Sequence, residues 1–206
     1  MSRNFRRELQ HEPCWDRRAQ ALFEAHGEVV ADIILQNREE LIGLCEFIEA
    51  HRIRSYLEIG TWTGRLVRTL HRLFGFDRVA ACDDGYARRF GLEIAVPEGT
   101  HYLEARSDSR AYQAWRERLG PIDLVFIDAN HAYHAVRRDF EINRRFPHRF
   151  LAFHDITGAS RATRGVRRFW EELDEGMKVE IIRPHRELGL AVSTMGIGIW
   201  SASPSG

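Results

Sequence analysis

Acids recur in this chain directly after short apolar runs, and glycines follow the first of them. That first run reads Arg54-Ser55-Tyr56-Leu57-Glu58-Ile59-Gly60-Thr61-Trp62-Thr63-Gly64. A strand of this kind carries an acid near its end, turns through two glycines and opens into a helix. The spacing Glu58-x-Gly60-x-x-x-Gly64 departs from the G-x-G-x-x-G that brings backbone against a pyrophosphate. An acid in this place repels phosphates, so the pattern suits a nucleoside cofactor that is neutral or cationic on that side. Later apolar runs end in the same manner, at Asp83-Asp84, Ser107-Asp108, Asp128 with Asn130 and His131, and His154-Asp155. Any one of these acids also reads as a solvated turn or capping residue. The whole series reads that way poorly.

The elements that must position them alternate. Strands are expected at 56–59, 79–82, 101–103, 122–127, 150–153, 179–182 and 196–200. Helices are expected at 65–74, 110–119, 133–146 and 165–173. The run Asp123-Leu124-Val125-Phe126-Ile127 is apolar on both faces, as a central parallel strand requires. Such alternation predicts an α/β fold with a Rossmann-like, doubly wound, seven-stranded sheet. The last two strands lack an intervening helix and should close the sheet as an antiparallel pair. Ligands of open sheets bind outside the carboxyl ends of the strands, which is where the acids fall. Two units are expected: a helical N-terminal extension over 1–36 and the Rossmann-like unit over 37–206. A helix should begin at Asn37, with Glu40 completing a capping box and Leu41, Leu44, Cys45 and Ile48 forming its buried stripe. Residues 85–99 carry glycines and a proline and predict an irregular loop over a pocket. Tyr133, Val136 and Phe140, and later Val166, Phe169, Trp170 and Leu173, read as packing faces.

Composition narrows the partners. The 206 residues carry 30 basic and 30 acidic side chains, for a net charge of zero, which disfavours nucleic acid and acidic membranes as primary partners. Lys178 is the only lysine, so lysine is nearly absent from the list of bases. The paired arginines at 137–138, 144–145 and 167–168 read as solvated faces. Cys14, Cys45 and Cys82 have no C-x-x-C spacing and read as buried thiols of a reducing compartment. The polar N-terminus lacks a signal-peptide core, and no run approaches a membrane span. A cytoplasmic location is expected.

Taken together, Leu57–Gly64, Ile122-Asp123-Leu124-Val125-Phe126-Ile127-Asp128-Ala129-Asn130-His131-Ala132-Tyr133, Phe153-His154-Asp155-Ile156, Gly165-Val166 before Phe169-Trp170, and Gly196-Ile197-Gly198 resemble one family. The chain is similar, over roughly 35–200, to the class I S-adenosylmethionine-dependent methyltransferases, and within them to the macrocin-type O-methyltransferases of natural products. The resemblance implies methyl transfer from S-adenosylmethionine to a hydroxyl of a small metabolite such as a sugar, a polyketide or an aromatic product. It implies that Glu58, Gly60, Thr61 and Gly64 line the methionine end, with Asp128 beside them. Asp83 would take the ribose hydroxyls, with Asp84 as the alternative. Asp108 would meet the adenine amino group, although Arg106-Ser107 replaces the usual glycine-containing turn.

The same resemblance places a divalent ion, Mg2+ or another, on Asp128, His154 and Asp155. A histidine in that set shifts preference from magnesium towards manganese, iron or zinc. The alternative is that His154 orients Asp155 or meets the acceptor. His131 lies where catechol-type enzymes place a lysine base, and its ordinary pKa of about 6.5 suits a base at neutral pH. With Asp128 it forms the implied catalytic pair; His134 is the substitute, and helix capping is the competing role for His131. Three other function classes compete. A nicotinamide oxidoreductase is disfavoured by the glycine spacing. A cofactor- or partner-binding module without chemistry is disfavoured by Asp128, His131, His154 and Asp155 standing together. A nucleic-acid amino-methyltransferase lacks its Asn/Asp-Pro-Pro-Tyr motif. Homo-oligomers remain open, the N-terminal helices being able to pair subunits or cover the site.

Overall fold

The strands are β1 (Ser55–Ile59), β2 (Arg78–Asp83), β3 (His101–Glu104), β4 (Ile122–Ile127), β5 (His148–His154), β6 (Met177–Ile181) and β7 (Ile197–Ser201). The helices are α1 (Phe5–Glu8), α2 (Arg17–His26), α3 (Arg38–Ala50), α4 (Arg65–Phe74), α5 (Arg110–Leu119), α6 (Tyr133–Asn143) and α7 (Arg164–Glu172). These belong to a computed structural model that describes residues 3–27 and 29–203; Met1, Ser2, Glu28 and 204–206 of the two expected units lie outside the described residues.

One seven-stranded sheet runs in the order β3-β2-β1-β4-β5-β7-β6. β1 pairs in parallel with both β2 and β4, so the winding reverses between β1 and β4 and opens a crevice at their carboxyl ends. β7 is antiparallel to β5 and to β6, the closing pair expected from the missing helix. The expected fold class is met.

Period-two alternation sends residues to opposite faces. Leu124 and Phe126 join a core with α3 and α4, whereas Val125 and Ile127 join a second core with α5, α6 and α7. Phe5, Leu9, Cys14 and Ile34 add a further layer to the first core. The segment between α2 and α3 is tied down by two backbone bonds, Trp15 N–H to Gln36 O (3.2 Å) and Ile34 N–H to Pro13 O (2.8 Å). Among the described residues, no helix is long and apolar enough to cross a membrane.

Two local expectations differ. α6 ends at Asn143 rather than 146, where Arg144 continues into a turn. Asn37 does cap α3, accepting from Glu39 N–H, but Glu40 forms no capping box. It is fully buried and instead accepts from the backbone N–H groups of Arg183 (3.4 Å) and Gly196 (3.1 Å). Residues 85–99 are irregular apart from one tight helical turn at Tyr86–Phe90.

Candidate active site

The turn after β1 is shaped by what cannot fit beside it. Gly60 has φ +84°, and a Cβ there would lie 2.1 Å from the carbonyl oxygen of Asp128. Gly64 has φ +80°, and its Cβ would lie 2.0 Å from Ala95 O. Both positions therefore need glycine for conformation and for space. Between them Trp62 holds a left-handed φ of 52°, rare for a bulky residue. Its indole N–H donates to Ala31 O at 3.2 Å, and Tyr86 and Phe90 flank its ring.

Asp83 organises this loop. One carboxylate oxygen accepts from Thr61 N–H (2.9 Å) and Trp62 N–H (3.0 Å), the other from Gly85 N–H (2.7 Å) and Tyr86 N–H (3.2 Å). A carboxylate offers about four acceptor directions, and all are engaged here. Asp84 lines the same cavity, is exposed, and has no hydrogen-bond partner among the described residues. Glu58 is buried and accepts from the Tyr56 hydroxyl at 2.9 Å. Burial raises its carboxyl well above the ordinary range, and the neighbouring Asp128 and Asp83 add to the rise.

The ends of β4 and β5 bring four of the expected residues together. His131 Nε2 lies 3.1 Å from Asp128 Oδ1 and 3.6 Å from Asp155 Oδ2. His154 Nδ1 lies 3.4 Å from Asp128 Oδ2 and 3.6 Å from Asp155 Oδ2. The carboxylates thus stand between two imidazoles. Burial alone would lower the His154 pKa, but Asp155 and Asp128, with Glu40 behind, outweigh it and raise it to about 10. For His131, burial also opposes and the Asp128 and Asp155 carboxylates prevail, so its pKa is raised. Burial would raise Asp128, yet the two histidines hold it below the usual carboxylate range. Asp155 has a left-handed φ of 64°, a backbone cost that aims its carboxylate back at this centre.

Asp128, His131 and Asp155 each offer a ligand atom, and these atoms all lie within 4.8 Å of one another. Two oxygens and an imidazole nitrogen at the mouth of a cavity fit a divalent cation. His154 stands buried behind those carboxylates, with Nδ1 turned towards both and its Nε2 without a hydrogen-bond partner among the described residues.

Two residues to which the sequence assigned no part in the site complete the centre. Gln36 is buried and donates through Nε2 to Asp128 Oδ2 at 2.7 Å, while its Oε1 has no partner. Glu40 is the third carboxylate facing His154. Glu40 could have been found: it precedes Leu41 by one residue and Leu44 by four, on the buried stripe of α3, where an unexplained acid is informative. Gln36 carries no such signal, since it lies in a segment without periodicity.

A cavity of about 920 Å³ joins these parts, running from Glu58, Gly60 and Asp84 to Asp128, His131 and Asp155. Asp108 reaches its wall, but its carboxylate is held by Arg106 (2.9 Å) and Arg138 (2.6 Å), which lower its pKa to about 2. Beyond the Asp128 centre the wall is apolar: Trp15, Phe23, Val29, Ile33, Leu35 and Met195 line it and form their own small core. His134 lines the cavity without an ion pair or hydrogen bond among the described residues.

Residues 57–156, spanning β1 through the end of β5, match the family model described as a methyltransferase domain. No curated protein matches the chain. Solved structures resemble it over nearly its whole length. The O-methyltransferase TomG from Streptomyces achromogenes, involved in tomaymycin synthesis and solved in complex with SAM, is 17% identical, with 95% of this chain and 94% of that chain covered and a TM-score of 0.57. An O-methyltransferase from Bacillus cereus, solved with SAH, is 16% identical, with 98% and 92% covered and a TM-score of 0.58. At these identities the shared property is the fold.

Proposed function

We propose that this chain, which has the class I methyltransferase fold and carries a methyltransferase domain over residues 57–156, moves the methyl group of S-adenosylmethionine to a hydroxyl of a small metabolite with an apolar body. The observation that carries the reading is the continuity of one cavity between the glycine turn and the Asp128–His131–Asp155 centre. Cofactor and acceptor would meet where the sheet reverses its winding.

The cofactor half follows from the turn. Gly60, Thr61 and Gly64 let the methionine end approach backbone, and Glu58 meets its cationic groups. A sulfonium or ammonium nearby would draw the Glu58 carboxyl back to its charged form. With Asp83 committed to four N–H groups, Asp84 is the carboxylate open to the ribose hydroxyls. Asp108, already paired, fixes Arg138 and Arg106 beside the expected adenine position.

Methyl transfer is an in-line displacement: the acceptor oxygen forms a bond to the methyl carbon as the carbon–sulfur bond breaks. Positioning supplies much of the rate. The hydroxyl proton must leave, and His131 is the base within reach: its Nε2–H is held by the Asp128 carboxylate, which leaves Nδ1 to accept the proton. Asp128, His131 and Asp155 are alternatively the donors for a divalent ion, which would then supply the Lewis acidity towards the hydroxyl in place of His131 as base. The apolar wall favours an aromatic or polyketide body over a sugar. Three unpaired, buried thiols support a reducing, cytoplasmic setting.

Calorimetric titration with S-adenosylhomocysteine, with and without Mg2+ or Mn2+, tests the reading. Binding is expected, and its absence under every condition refutes it.

A further inference from the structure

A second cavity, of about 460 Å³, opens beside the first and shares His131 with it. Its walls are the backbone after His131, Tyr133, the turn that carries Arg161, and α7, which contributes Arg164 and Arg168. The two sides are held close. A Cβ on Gly165 would lie 2.3 Å from His131 O and 2.5 Å from Tyr133 N, so only glycine lets α7 begin here. The arginines are thereby fixed in the neighbourhood of the proposed base.

Their charge is not matched locally. Arg168 is engaged by Glu172 at 2.8 Å and lies 4.4 Å over the Tyr133 ring. Arg161 and Arg164 have no ion pair or side-chain hydrogen bond among the described residues. Three of the arginines that line the first cavity contrast with them: Arg65 is paired with Asp32, and Arg106 and Arg138 with Asp108. The groove therefore carries an excess of positive charge, and the N-terminal end of α7 adds to it.

We propose that this groove binds an anionic group of the acceptor, a carboxylate or a phosphate, through Arg161 and Arg164, while the hydroxyl to be methylated lies at His131. The proposal rests on the methyltransferase reading and names the substrate class for it: a hydroxylated compound with an anionic end. Charge sorts the two ends. Asp128 and Asp155 repel an anion, and the arginines attract it, so the acceptor enters in one orientation. Guanidinium groups suit both anions because their planar forks bond two oxygens at once.

The test uses protein saturated with S-adenosylhomocysteine and calorimetric titration of matched pairs. 3,4-Dihydroxybenzoate is compared with its methyl ester, and phenyl phosphate with phenol. The acid or the phosphate should bind at least about tenfold tighter than its neutral partner, the scale of one charge-assisted hydrogen bond. The advantage should shrink on raising salt, as these arginines are exposed. Which pair shows it identifies the anion. Arg161→Gln with Arg164→Gln should abolish the advantage and leave the neutral probes and S-adenosylhomocysteine affinity unchanged. Equal affinity within both pairs, no binding of either anion, or an advantage that survives the double substitution overturns the proposal. Failure to bind S-adenosylhomocysteine at the outset overturns the methyltransferase reading instead.

Discussion

Replacing His154 by asparagine removes one charge from the active centre while keeping a donor near the place of Nδ1. In the wild type that nitrogen lies 3.4 Å from Asp128 and 3.6 Å from Asp155, with Glu40 as a third carboxylate acting on the ring. The rise of the His154 pKa from 6.5 to about 10, at ~1.4 kcal/mol for each pH unit, corresponds to roughly 5 kcal/mol. Stripping one partner from a buried ion pair costs ~3–5 kcal/mol in general. Both routes give the same scale, and for a chain of this length the expected fall in Tm is roughly 10 °C. Because folding raises the pKa of this base, its stabilisation is complete below about pH 6.5. It is lost as pH climbs towards 10. Thermal unfolding of wild type and His154→Asn in a chelator, at pH 6, 8 and 10, should therefore show a gap that narrows with rising pH. Replacing the chelator by Mn2+ should raise the Tm of the variant more than that of the wild type, since a cation then meets uncompensated carboxylates. Equal stabilities at pH 6, or a gap that widens at pH 10, would refute the reasoning.

Gly60→Ala should lose S-adenosylhomocysteine binding and fall in Tm by at least about 5 °C, from the left-handed φ (~1–2 kcal/mol) and the 2.1 Å approach to Asp128 O; calorimetry and thermal unfolding check it. Glu58→Gln should match or exceed wild-type stability at pH 8, because burial raises this carboxyl and its ionised form costs stability as pH rises above the ordinary value. The same variant should bind S-adenosylmethionine more weakly, which titration shows. His131→Ala should cut single-turnover methyl transfer about a hundredfold or more, the usual scale for losing a general base, with S-adenosylhomocysteine affinity nearly intact. Loss of that affinity would assign His131 a structural role.

What could be read from sequence was what chain-local physics decides. The apolar run 122–127 admits only a buried strand, and a strand followed by Gly60 and Gly64 admits only a turn into a helix, so the sheet and the places of Glu58, Asp83, Asp128 and Asp155 were legible. Residues whose roles depend on distant chain were not. Glu40 fits a capping box by spacing, but Arg183 and Gly196 offer backbone N–H groups that draw it inward. Asp83 has the position of a ribose acceptor, and only the folded turn shows four N–H groups converging on it. Gln36 meets Asp128 across 92 positions of sequence, beyond the reach of any periodicity. His154 reads as a metal ligand from its position, and only the fold shows it buried among Asp128, Asp155 and Glu40.

The near contact between Gly60 and the carbonyl of Asp128 has a consequence for descent. It couples the turn that would receive the cofactor to the strand end that would receive the acceptor, so neither can drift without disturbing the other. The apolar wall drawn from 15–35 and the arginines before and within α7 are under no such restraint. Lineages of this fold that acquire new substrates should hold the sequence around Gly60 and Asp128 nearly constant and rewrite those two borders. A graft of both borders from a relative should then carry acceptor preference with it and leave the methyl donor's affinity behind, unchanged, in the host.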